Sequence, residues 1–292
     1  MFKALAGFFG QIIYIIYDII PFEYCKYGIS LIIFTIIVRT LMLPLAVKQI
    51  KSQEKMNEVQ PLINDIQRKY KNDREKLSQE MMKIYQQYNY NPLSGCLPLF
   101  IQMPIIISLF AVIRNPLTYM LKGKEIAGYV INQSTIENLI NKIPEGELIR
   151  GYEQVSAALK FNLIDFNFLG INLGMVPTIN RGLLFGSEMS TYLPLLIIPI
   201  LACVTTYISS KMMSVRNAAT KKDKNNKKGK RDEKDEALES MQSNMLLIAP
   251  MMTLIFSFQF PAGLGFYWTV SNIYQIVQEI VIRKYIRKKK EG

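Results

Sequence analysis

Five stretches of this chain run for 18 to 22 residues with at most one charge each, and no other feature constrains the fold as strongly. An α-helix rises about 1.5 Å per residue, so roughly 20 apolar residues cross a hydrocarbon core of about 30 Å. Lipid offers no partner for backbone amides, so such stretches span as helices. The sequence predicts spans over 28–47, 96–113, 191–212, 241–260 and 263–282. The expected fold is therefore all-α: a polytopic membrane protein with a core of five transmembrane helices. Residues 1–27 are read as an N-terminal segment on the outer side of the membrane. Within them 1–20 are apolar but carry Lys3, Gln11 and Asp18, with no small-residue cleavage site after them. An interfacial amphipathic helix is preferred there over a cleaved signal or a sixth span.

The loops orient the spans. Segment 48–95 holds nine Lys/Arg against six acids, and 211–240 holds ten against six. The tail 283–292 holds six against one. The loop 114–190 balances seven against seven, and the residues before the first span balance two against two. The whole excess of +12 thus falls in alternate connections. By the positive-inside rule the N-terminus lies outside and the C-terminus in the cytoplasm of a multi-pass cell-membrane protein.

The connections differ in kind. Residues 48–95 read as a cytoplasmic helical hairpin. Met56, Val59, Ile63, Ile66 and Tyr70 form one apolar stripe, and Leu77, Met81, Ile84 and Tyr88 form another after a break at Lys71-Asn72-Asp73. Pro61 is expected to kink the first helix. The hairpin is either a solvated connector or a docking arm for a cytoplasmic partner. The charged loop 213–240 reads as a linker that turns helical near its end. The loop 114–190 is expected to carry short surface helices and no chemistry. The basic tail serves as an inside anchor and fits contact with anionic lipid or ribosomal RNA.

The composition excludes several chemistries. The chain has no histidine, so imidazole bases, Ser-His pairs and His-ligated metals are out. Cys25, Cys96 and Cys203 stand far apart, with neither a zinc pattern nor a disulfide framework. No phosphate-binding glycine loop is present. No metal, cofactor or catalytic residue is expected, and the chain is not read as an enzyme.

Arg39 is the central polar residue, twelfth in its twenty-residue span. Guanidinium stays charged, and insertion scales put an arginine at a helix centre at about 2.5–3.5 kcal/mol. It needs polar company. The spans offer one carboxylate, Glu279, close to the cytoplasmic end, so water is the expected partner. Thr35 lies one turn earlier on the same face. Gln102 opens the second span, Thr205 and Thr206 close the third, and Asn244 opens the fourth. Ser271, Asn272, Gln275, Gln278 and Glu279 form a stripe on the fifth. Most fall in the cytoplasmic half, as a wet cavity open to cytoplasm and lipid would require. Arg39, Thr35, Gln102, Thr205, Asn272 and Gln275 are the candidate substrate-binding residues. For single Thr or Asn residues, interhelical hydrogen bonding is the plainer role. The methionine doublets at 81–82, 212–213 and 251–252 suit an adaptable apolar surface or ordinary filler. Trp268 suits an outer interface anchor.

Four stretches, in order, resemble the YidC/Oxa family of membrane protein insertases. They are FTIIVRTLMLPL with its arginine, KSQEKMNEVQPLINDIQRKYKND, NPLSGCLPLFIQMPI and FPAGLGFYWTVSNIYQIVQ. The third and fourth are the more specific, with several fixed Pro, Gly, Cys, Gln and aromatic positions. The chain resembles the Gram-positive form, without the large periplasmic domain of the Gram-negative one. The resemblance implies a five-helix insertase core and a groove open to cytoplasm and lipid, with Arg39 in the place of the family's arginine. It implies insertion and folding of nascent membrane proteins, alone or beside the Sec translocon, with the ribosome as a cytoplasmic partner. The rival class is a transporter or channel with an arginine-lined aqueous cavity, which would show inverted repeats that are not visible here. An intramembrane enzyme is disfavoured by the missing histidine and paired carboxylates.

Overall fold

The computed structural model describes residues 2–21, 24–71, 73–88, 90, 97–222 and 247–291. Cys96, Asn244 and the charged run 223–240 lie outside the described residues. The chain is predominantly helical and packs as two units. The first comprises Met1–Thr40, Met103–Tyr207 and Ile248–Tyr274, and the second Leu41–Gln102, Ile208–Leu247 and Gln275–Gly292.

The first unit contains α1 (Phe2–Ile19), most of α2 (Lys26–Leu41) and all but the start of α5 (Leu97–Arg114). After α6 (Pro116–Tyr119) come the strands β1 (Glu125–Ile126) and β2 (Tyr129–Val130) and the helices α7 (Gln133–Asn141) and α8 (Glu153–Lys160). The strands β3 (Asn167–Phe168) and β4 (Ile171–Asn172) follow, then α9 (Arg181–Leu184), α10 (Met189–Leu195) and the beginning of α11 (Ile197–Lys222). Nearly all of α12 (Leu247–Ser257) and the first part of α13 (Ala262–Glu291) complete it. Hydroxyls in the apolar helices are satisfied by their own backbone. Ser30 donates to the Lys26 carbonyl at 2.6 Å and Thr269 to that of Gly265 at 2.9 Å.

The stretch between α5 and α10 is more than a set of surface helices. Its Leu117, Ile131, Ile136, Val155, Ile164 and Leu173 share one buried core with Ile13, Phe34, Leu109 and Tyr267 of the long helices. The chain seals this end with backbone bonds. Gly263 donates to the Leu173 carbonyl at 2.7 Å and Ala262 to that of Met175 at 2.8 Å. The Tyr152 hydroxyl reaches the Gln259 carbonyl at 2.9 Å. α1 joins the same core. Gln11 donates to the Tyr119 carbonyl at 3.1 Å, the Phe9 and Phe34 rings meet edge-on at 5.2 Å, and Ser108 reaches the Phe2 carbonyl at 3.5 Å.

The second unit holds a helical hairpin. α3 (Leu43–Lys69) and α4 (Arg74–Gln87) pack through Val59, Ile63 and Ile84, flanked by Met56, Ile66, Met81 and Tyr85. Tyr85 takes the place expected of Tyr88, which is exposed. Asp73 caps α4 by accepting from the Lys76 amide at 3.0 Å. α3 continues past Pro61, while the apolar run 28–47 is divided at Met42. Pro44 explains the division. It has no amide to donate to the preceding turn, so it suits the start of a helix and not its middle. In the last part of α13, Arg283 donates to Glu279 from Nε at 2.8 Å and from Nη2 at 2.6 Å, and reaches Gln53 of α3 at 3.2 Å. Glu54 stands 3.9 Å from the same guanidinium.

Two described helical stretches, Phe2–Ile19 and Met189–Met212, are long and apolar enough to cross a membrane. The pair α2 and α3 passes that test together, and Gln102–Arg114 and Leu247–Ser257 are shorter apolar helices.

Candidate functional site

The site is built where α2 nears its end in the first unit. Arg39 is third from last in α2 and half-buried. Its Nε donates to the Ser271 hydroxyl of α13 at 2.8 Å, and its Nη2 donates to the same oxygen. The next residue repeats the link one turn on, with the Thr40 and Tyr274 hydroxyls 2.8 Å apart. Asn272 of α13 donates from Nδ2 to Thr206 of α11 at 2.8 Å and to Thr205 at 3.3 Å. Thr205 and Thr206 spend their own hydroxyl hydrogens on α11, on the Leu201 and Ala202 carbonyls, both at 2.7 Å. Their lone pairs are thus turned to Asn272. One stretch of α13 therefore ties α2 through Ser271 and Tyr274 and α11 through Asn272.

The electrostatics are lopsided. Ser271 is 1% exposed, and its hydroxyl can accept hydrogen bonds but cannot cancel a charge. No carboxylate pairs with Arg39 among the described residues; Glu279 pairs with Arg283 instead. The site presents a fixed cation whose guanidinium fork points two donors at one neutral oxygen. A carboxylate would offer two oxygens to that fork and make the stronger, bidentate contact. Among the described residues no group of His, Cys, Asp or Glu is placed to hold a metal ion.

The predicted residues fare unequally. Arg39, Thr205 and Asn272 take part in the polar seam of α2, α11 and α13. Thr35 does not join it: it is fully buried, and its hydroxyl turns back on the Leu31 carbonyl at 2.5 Å. Gln102 and Gln275 are half-buried residues of the second unit. Thr40 and Tyr274 were not singled out in the sequence, and Ser271 only as part of the stripe. The signal for Tyr274 was its place one turn from Ser271 on that stripe.

Burial in the first unit is uneven along the helices. Leu31, Phe34 and Thr35 of α2 are fully buried, whereas Ile36 and Ile37 are exposed. The sealed end is the one that carries residues 114–190, and packing thins toward Arg39.

A family model described as "60Kd inner membrane protein" matches residues 19–290. The chain is 33% identical over 283 residues to a protein from Clostridium perfringens described as "Membrane protein insertase YidC", with 97% of this chain and 86% of that one covered. It is 29% identical over 281 residues to a protein of the same description from Caldanaerobacter subterraneus, covering 96% of this chain and 95% of the relative. A third such protein, from Oceanobacillus iheyensis, is 30% identical over 269 residues, with 90% and 77% covered.

Proposed function

The chain belongs to the 60Kd inner membrane protein family, the YidC/Oxa insertases, and from that membership we propose that it inserts nascent membrane proteins through a groove centred on Arg39. It is a multi-pass membrane protein of predominantly helical fold, and its relatives are described as membrane protein insertases. The spans at 28–47, with its division at Met42, and at 96–113, 191–212, 241–260 and 263–282 form the core. The hairpin 48–95, the loop 213–240 and the tail 283–292 face the cytoplasm, and residues 1–27 and 114–190 face outward. The groove opens to cytoplasm and lipid and is closed on the other side by residues 114–190, the outer cap.

A client segment with an acidic, hydrophilic flank enters the groove from the cytoplasm. Its carboxylate replaces Ser271 as the acceptor for Arg39, gaining a bidentate charge-assisted contact. The polar flank then has a shorter dry path to cross. The client's apolar segment leaves for lipid, and its burial at about 25 cal/mol per Å² drives the step. Thr205 and Asn272 keep the path hydrogen-bonded, and Thr35 marks its buried end. The chain works alone or beside the Sec translocon with the ribosome as its cytoplasmic partner, and the basic tail contacts anionic lipid or ribosomal RNA.

The observation that carries this reading is the guanidinium of Arg39 resting on a neutral hydroxyl with no described carboxylate beside it. The test is insertion into proteoliposomes by the purified chain, with clients matched except for their acidic flank residues. Arg39→Ala is expected to impair the acidic clients and spare the neutral ones. Equal insertion of both classes by Arg39→Ala overturns the charge role.

A further inference from the structure

The outer cap contains two hairpins of the same backbone form. β1 and β2 are joined by Ala127-Gly128 with φ of 51° and 78°, and β3 and β4 by Leu169-Gly170 with φ of 52° and 82°. Positive φ at both central residues defines the type I′ turn, which favours Asn, Asp or Gly at its first position. The first hairpin puts a small alanine there. The second puts a leucine there that is 79% exposed. That leucine adopts a conformation disfavoured for its type and gains almost no packing from the protein.

The second hairpin is held firmly. The Phe168 ring lies against Gly28 of α2, where an added Cβ would collide with it, and meets the Phe266 ring of α13 at 4.8 Å with the two planes tilted by 53°. The Leu169 amide donates to Cys25 Sγ at 3.4 Å, one residue before α2 begins. The hairpin tip is thereby fixed at the height where α2 starts. Tyr24, 80% exposed, stands at the same level in the chain, as aromatic residues do at a membrane–water boundary.

We propose that the Leu169 tip, with Tyr24 next in the chain to its Cys25 contact, is seated in the outer-leaflet lipid and anchors the cap to the membrane, whereas the Ala127 tip stands in water. The occupant is lipid because the tip is fixed at the end of a helix that spans, and apolar side chains there meet acyl chains and headgroups. The inference rests on the proposed outward placement of residues 114–190. It does not use the insertase activity.

The test uses tryptophan as a depth reporter. Trp268 is the only tryptophan, so Trp268→Phe gives a silent background. Leu169→Trp and Ala127→Trp are placed in it one at a time, in vesicles with or without lipids brominated high on the acyl chain. Emission at 169 is expected to fall by half or more with brominated lipid and to resist aqueous iodide, and position 127 to do the reverse. Iodide quenching at 169 overturns the proposal, as does shielding of 169 from both quenchers, which would mean a protein partner. If Leu169→Trp does not fold, Leu169→Cys labelled with bimane, in a chain with Cys25, Cys96 and Cys203 replaced by serine, gives the same readout. No client is present, so a failure of the insertase reading leaves this result intact.

Discussion

At the scale of single residues, the chemistry turns on what Arg39 touches. The charge itself was plain in the sequence, since an arginine deep in an apolar run must find polar company. Its partner was not, because serine hydroxyls in apolar helices usually bond their own backbone and give no sign of a contact 232 residues away. Water was expected, and Ser271 is the acceptor found. Thr35 shows the converse: four-residue spacing put it on the face of Arg39, but its hydroxyl is satisfied by Leu31. A charge-assisted hydrogen bond contributes about 1.5–3 kcal/mol, so Arg39→Ala should lower insertion of acidic clients by about tenfold or more. Arg39→Lys should keep part of it, retaining charge but losing the fork. Ser271→Glu supplies a built-in carboxylate. It should reduce acidic clients to the level of Arg39→Ala while leaving neutral clients unchanged. A Ser271→Glu chain that inserts acidic clients at the normal rate would show that the fork is not where they bind.

At the scale of elements, close approaches and buried ions make the sharper forecasts. Gly10 of α1 lies where an added Cβ would strike the backbone of Tyr119, while Gly7 on the same helix has open space. Backbone cannot yield as a flexible side chain does. Gly10→Ala should destabilise the first unit by about 1–3 kcal/mol. Gly7→Ala should be neutral or gain up to about 1 kcal/mol from helix propensity. Thermal unfolding in detergent measures both, and equal midpoints would mean that α1 does not pack as described. The carboxylate of Glu279 is buried against Arg283. Arg283→Ala strands it, at a cost of about 3–5 kcal/mol, and adding Glu279→Gln should restore most of that loss. The hairpin was legible from periodicity because each of its helices has one apolar stripe. The packing of α1 was not, because α1 is apolar on more than one side: Ile13 is buried, but Phe8, Ile15 and Ile19 are exposed. The break at Met42 also escaped the hydropathy pattern, since Pro44 sits within the apolar run. Prolines elsewhere, Pro61 and Pro104, stay inside their helices. The folded cap was missed because its core residues are spread among short elements with no long repeat to reveal them.

At the scale of the whole molecule, the distribution of charge is the strongest argument, and it predicts orientation. The excess of +12 lies in the segments 48–95, 211–240 and 283–292, while residues 1–27 and 114–190 are each balanced and Arg39 and Glu279 cancel. Short basic loops resist translocation, so the three should share the cytoplasmic side. That would place the folded segment 114–190 outside and the surroundings of Arg39 toward the cell interior, as the proposed entry of a client from the cytoplasm requires. Ser78 on α4 and Gly146 in the cap are both exposed and lie in opposite classes. With the native cysteines replaced by serine, Gly146→Cys should react with an impermeant maleimide added to intact cells, and Ser78→Cys only after the membrane is opened. A basic tail on the outside would reverse both results. Replacing the six Lys/Arg of 283–292 with glutamine should leave the pattern unchanged, because the remaining two basic segments carry nineteen Lys/Arg against twelve acids. If that one change inverts the labelling, the tail alone sets the topology, and the hairpin and the charged loop do not share in it.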